Sequence, residues 1–145
     1  AGPLFTSAER LFNLKLESAI KKKLCADIFL PQRECAGLSE PGQIFLCCRG
    51  GVKESDAVIA VLEGTDADSG TAWEAGYAHG LGKPVIGIRT DFRQAGEDRG
   101  LNLMLSCGCD HLIIVNSLDH ENPFDVIADM LAPLIARYVY PGKQT

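Results

Sequence analysis

The amino-acid sequence predicts an α/β fold, a parallel sheet with helices on both faces, and three observations carry that prediction. Helical and strand patterns alternate along the chain, with no repeats, low-complexity stretches or linkers between them. Several strand segments are apolar at every position, as strands covered on both faces are. The chain of 145 residues is 46% hydrophobic and 23% charged, the length and balance of a single globular domain over 1–145 that buries a real core.

The elements follow in order. Ala1-Gly2-Pro3 reads as a strand-to-helix turn with no strand before it; either a first strand belongs ahead of residue 1 or the sheet does without it. Ser7 to Lys23 places Phe12, Leu16, Ala19 and Ile20 at helical spacing, with Ser7 as the cap and Arg10, Lys15, Glu17 and Lys21 to Lys23 outside. Asp27-Ile28-Phe29-Leu30-Pro31 is a short strand that Pro31 ends. Gln32 to Gly42 is a polar loop, and Ile44 to Ser55 a helix broken or weakened at Gly50-Gly51. Ala57 to Leu62 is a continuous apolar strand. Ser69-Gly70 open a helix to about Leu81, which Gly82-Lys83-Pro84 stop. Val85 to Ile88 and Leu112 to Val115 are further buried strands, and Pro123 starts a final helix through Val139 with a kink at Pro133.

In such folds ligands sit beyond the carboxyl ends of the strands. The loops that matter are therefore Gly2 to Thr6, Gln32 to Gly42, Glu63 to Thr71 and Thr90 to Asn102.

Charge and cysteines narrow the function classes. Fourteen Lys+Arg against 19 Asp+Glu give a net charge of −5, the opposite of a nucleic-acid-binding face. No apolar run approaches the roughly 18 residues of a membrane helix, so a soluble protein without membrane partners is expected. The six cysteines, Cys25, Cys35, Cys47, Cys48, Cys107 and Cys109, read as reduced thiols of a cytoplasmic protein. Cys107, Cys109 and His111 are metal-ligating types, but their alternate spacing is wrong for a zinc knuckle and suits one side of an entering strand. Neither a metal nor a cofactor is expected.

The segment from Glu63 to Glu74 is the densest in chemistry. It follows the most apolar strand, enters a helix and holds Asp66, Asp68 and Glu74. Glu74, near the helix start where the macrodipole favours a negative charge, has the chemistry of a nucleophile or base. On spacing alone a plainer account stands beside it: Asp68 or Ser69 caps the helix and Glu74 completes an acidic first turn. No dinucleotide fingerprint, phosphate-binding glycine loop or serine nucleophile elbow is present.

Taken together, Ala1-Gly2-Pro3-Leu4-Phe5, Ser55-Asp56-Ala57-Val58-Ile59-Ala60 and Asp66-x-Asp68-Ser69-Gly70-Thr71-x-x-Glu74-x-Gly76-x-Ala78 resemble the nucleoside 2-deoxyribosyltransferase family. Lys83-Pro84-Val85-Ile86, Thr90-Asp91-Phe92-Arg93 and Asn102-Leu103-Met104 extend the resemblance in the same order. It implies a flavodoxin-like, doubly wound parallel sheet of about five strands in a homo-oligomer with shared active sites. It also implies an enzyme that moves a 2-deoxyribosyl group between nucleobases through a covalent glycosyl-glutamate. The substrates would be a deoxynucleoside and a free nucleobase, as in nucleotide salvage.

On this chain the resemblance makes Glu74 the nucleophile and Asp68 the carboxylate contacting the departing base. Gly2, Phe5, Ser69 and Gly70 would line the substrate site, and Asn102 and Met104 would reach a neighbour's site. Cys48 stands where members commonly carry a further aspartate that binds or protonates the base. A carboxylate at Asp68 repels a phosphate and so favours nucleosides over nucleotides. The alternatives are an N-glycosidase, in which water replaces the acceptor base, and a non-catalytic nucleotide sensor. The apolar stretch Leu103-Met104-Leu105, after the polar loop Gln94 to Gly100, calls for burial in the chain's own core or against a partner.

Overall fold

The computed structural model describes residues 1–93 and 96–139. Its order is α1 (Ser7–Lys23), α2 (Pro31–Glu34), α3 (Pro41–Glu54), β1 (Val58–Val61), α4 (Ser69–Gly80), β2 (Val85–Arg89), α5 (Leu103–Gly108), β3 (His111–Ile114) and α6 (Pro123–Val139). The strands are parallel in the order β1-β2-β3, with Val58 opposite Val85 and Ile86 opposite His111. Every residue of β2 is buried, as its unbroken apolar run requires, including the arginine that ends it.

Strand alternation sorts the core into two layers. Val61, Ile86, Ile88 and Ile113 meet Leu16 and Ile20 of α1 and Ile127, Leu131 and Ile135 of α6. On the other face Val58, Ala60, Leu62 and Val85 meet Val52 of α3 and Ala75 and Ala78 of α4. Helices thus cover both faces, and the small residues of α4 let its backbone lie close to the sheet. No helix among the described residues is long and apolar enough to cross a membrane.

Several expectations are corrected. Three strands form among the described residues, against the five implied above. Asp27 to Leu30 forms no strand: a cleft lined by Ile28 and Phe29 on one side and Val58 and Ile59 on the other separates it from β1, so no ladder closes. Ala1 reaches that edge, its amino group donating to Ile59 O at 2.8 Å and its carbonyl accepting from Val61 N at 3.0 Å. The cap of α1 is Thr6, not Ser7, in a reciprocal capping box with Glu9. Glu17 is buried rather than outside, ion-paired at 2.7 Å to Arg33 and 2.9 Å to Lys21.

Helix α3 begins at Pro41 and runs unbroken through Gly50-Gly51. At Gly51 a Cβ would stand 2.6 Å from the Phe29 ring, so that glycine admits the aromatic ring against the helix. The apolar stretch Leu103-Met104-Leu105 opens a short helix, α5. Cys107 and Cys109 belong to its end and cap, and His111 begins β3, so the three do not share one side of a strand. Among the described residues no group of three His, Cys, Asp or Glu side chains could hold a metal.

Candidate active site

The carboxyl ends of β1 and β2 are tied together before any site residue is placed. Arg89, 1% exposed, donates through Nη1 to Leu62 O at 2.8 Å and Gly64 O at 3.0 Å, and through Nη2 to Arg93 O at 3.0 Å. Glu63 accepts from Thr90 N at 2.7 Å, and burial raises its proton affinity. One guanidinium therefore fixes the chain after β1 and after β2. Sequence reading passed over Arg89; the available signal was a permanently charged residue completing an otherwise apolar strand. Asn13 was missed likewise, a polar residue on the apolar face of α1. It is buried, and its Nδ2 donates to Pro3 O at 2.9 Å and Gln32 Oε1 at 3.2 Å, fixing the turn before α1.

The loop after β1 then delivers α4. Asp68 is its N-cap, with Oδ2 accepting from Thr71 N at 2.8 Å and from Thr71 Oγ1 at 3.0 Å. Glu74 is the sixth residue of α4, so it stands in the second turn rather than the first, where the macrodipole contributes little. The helix instead aims it into the cleft, of about 770 Å³, which Gly2, Leu4, Cys48 and Gly51 also line. Gly2 is fitted tightly, since a Cβ there would stand 3.2 Å from Val61 Cβ and from Asn13 Oδ1.

Burial raises the proton affinity of Glu74 above the ordinary carboxylate range. The Asp68 charge adds to this. Burial likewise raises Cys48, and the negative charge of Glu74 adds to that, so the group beside Glu74 is a protonated thiol. A half-buried carboxylate beside a neutral thiol retains its lone pairs for an electrophile while shedding part of its hydration. That is the environment of a nucleophile or base rather than of a structural ion pair.

The site residues expected from sequence therefore divide. Gly2, Cys48 and Glu74 line one cleft, with Asp68 close enough for its charge to act on Glu74. Ser69 and Gly70 form the exposed first turn of α4, outside the cleft lining. Phe5 is 77% exposed and lies outside it too. Asn102 caps α5, its Oδ1 accepting from Met104 N at 2.9 Å, and Met104 is 75% exposed. Neither enters the cleft of this chain. Gln94 of the preceding polar loop falls outside the described residues.

A parallel α/β domain with a half-buried carboxylate in a cleft alongside its first strand has the layout of an enzyme. The nucleoside 2-deoxyribosyltransferase family model matches residues 1–105, and the chain belongs to that family. Among solved structures, a conserved protein from Enterococcus faecalis V583 is similar at 27% identity and a TM-score of 0.68, over 85% of this chain and 93% of that one. A 2-desoxiribosyltransferase from Leishmania mexicana shares the fold at 23% identity and a TM-score of 0.63, over 89% of this chain and 94% of its own. No curated protein matches the chain in sequence.

Proposed function

We propose that this chain transfers a 2-deoxyribosyl group between nucleobases, with Glu74 as the covalent nucleophile. The observation that carries it is the half-buried Glu74 carboxylate, in the cleft and beside the Cys48 thiol, in a chain of this family. Cleaving an N-glycosidic bond develops positive charge on the sugar ring, and a carboxylate on one face stabilises that charge as it bonds to the anomeric carbon. The departing base takes the bonding electrons and needs a proton or a hydrogen bond. Asp68 Oδ2 is occupied by Thr71, so Oδ1 is the oxygen assigned to the base. The Cys48 S–H, lining the cleft with Glu74, is a further weak donor. An acceptor base then attacks the deoxyribosyl ester and frees Glu74.

The remaining assignments belong to the same proposal. Gly2, Ser69 and Gly70 border the sugar, with Phe5 at the rim. Asn102 and Met104 serve the site of a second copy in a flavodoxin-like homo-oligomer; the exposure of Leu103 and Met104 supports this, because neither is covered by this chain's own core. Incubation with a 2′-deoxynucleoside, with and without a second free base, tests the function. An exchanged nucleoside is expected only with the second base present. Free sugar in both mixtures would instead make the chain an N-glycosidase, and unchanged substrate in both would make it a binding protein.

A further inference from the structure

Two of the six cysteines meet at the cleft that holds Glu74. Cys35 caps the C-terminus of α2. Its Sγ lies 3.7 Å from Cys48 Sγ on α3. Cys48 lines the same cleft as Glu74 and is close enough for the carboxylate charge to act on it. A path therefore runs from Cys35 through Cys48 to the proposed nucleophile. The two sulfurs come from separate elements 13 residues apart. Closing them to a bond of about 2.04 Å needs a relative movement of under roughly 2 Å.

We propose that Cys35 and Cys48 form a reversible disulfide that removes the Cys48 thiol from the cleft wall it shares with Glu74 and so switches the cleft between two states. The oxidant is a low-molecular-weight disulfide of the glutathione type. One cysteine loses its proton and attacks the oxidant's sulfur–sulfur bond, giving a mixed disulfide and releasing one small thiol. The second cysteine, also giving up its proton, displaces the other small thiol and closes the Cys35–Cys48 bond. Two protein thiols are oxidised by two electrons in all, and one small disulfide becomes two thiols. Burial holds both cysteines protonated beyond the ordinary thiol range, so the thiols are the resting form.

The bond itself does not depend on the proposed function; only its effect on turnover rests on Glu74 being the nucleophile. The native chain is equilibrated in glutathione redox buffers, alkylated, and cleaved after Arg33 and Arg49. The expected product is peptide 34–49 with Cys35 joined to Cys48 and Cys47 alkylated; the joined pair persists in Cys47→Ser and is reversed by dithiothreitol. No linkage at any redox poise, linkage to Cys47, or mixed disulfides alone would overturn the proposal.

The Glu74 carboxyl, followed by carbon-13 NMR, should titrate at higher pH after oxidation of the wild type and stay unmoved in oxidised Cys35→Ser. An unmoved Glu74 in a cross-linked wild type would refute the switch. Base exchange should fall about tenfold on oxidation, the scale of losing one polar neighbour of a charged group. Cys35→Ser should keep its rate throughout. Loss of rate in the oxidised Cys35→Ser chain would also refute the switch. Should neither reduced chain exchange bases, the proposed function fails while the linkage and the titration still decide the disulfide.

Discussion

Asp68 performs two tasks that substitution can separate. Its Oδ2 caps α4 and also holds the hydroxyl of Thr71, a residue 1% exposed. Asp68→Ala removes the cap, worth about 1 kcal/mol, and strands a buried hydroxyl, worth about 1–3 kcal/mol; together about 2–4 kcal/mol. For a chain of this length that lowers the melting temperature by roughly 5–15 °C. Asp68→Asn keeps an oxygen that accepts from both Thr71 donors and loses only the charge–dipole part, less than about 1 kcal/mol. Urea and thermal unfolding of the three chains at neutral pH measure the difference. An Asn variant as unstable as the Ala variant would show that charge, not the cap, is what Asp68 contributes. An Ala variant as stable as wild type would show that Asp68 does not hold this helix.

The raised proton affinity of Glu74 gives a pH dependence with a definite sign. Base exchange should fall as pH drops through a value above the ordinary carboxylate range, and Asp68→Asn should move that limb toward lower pH, read from kcat/KM profiles. The same shift means that the folded chain binds the Glu74 proton more tightly than the unfolded chain. Its contribution to stability is therefore present below the unfolded carboxylate value and lost as pH rises through the folded one, so Glu74→Gln should raise the melting temperature at pH 7 and not at pH 4. Gly50→Ala, with open space around its Cβ, should stabilise α3 by about 0.5–1 kcal/mol. Gly51→Ala should lose that gain to the Phe29 ring, at a cost of about 1–3 kcal/mol in urea unfolding. Glu74→Ala and Asn102→Ala chains, each inactive alone, should regain activity when mixed under subunit exchange; no recovery despite exchange would confine each site to one chain.

Much of the fold was legible because local pattern and tertiary burial agree. The apolar runs Ala57 to Leu62 and Val85 to Ile88 became the adjacent parallel strands Val58–Val61 and Val85–Arg89, and the helix starting at Ser69 fell within a residue of its expected end. What failed depended on partners distant in sequence. Asp27–Leu30 has strand composition, yet a strand exists only where a neighbour accepts its hydrogen bonds, and a cleft lies there instead. Gly50-Gly51 looked like a break because propensity is local, whereas Gly51 is fitted to an aromatic ring from another segment. Glu17 looked solvated because Arg33, the partner that neutralises it, lies 16 residues on. At the site, the spacing of Asp68 and Glu74 marked the segment, but only the packing of α3 on α4 brings Cys48 to Glu74. Arg89 and Asn13 were hidden because what they bind are backbone carbonyls, which leave no trace in composition.

The role of Glu74 is tested most directly by mass spectrometry of protein quenched in acid during turnover with a deoxynucleoside. Digestion and fragmentation should find one deoxyribosyl group esterified to Glu74. The label should be absent from Glu74→Ala and should disappear when excess free base is added before the quench. An unmodified Glu74 under demonstrated turnover, or the sugar on any other residue, would contradict Glu74 as the nucleophile.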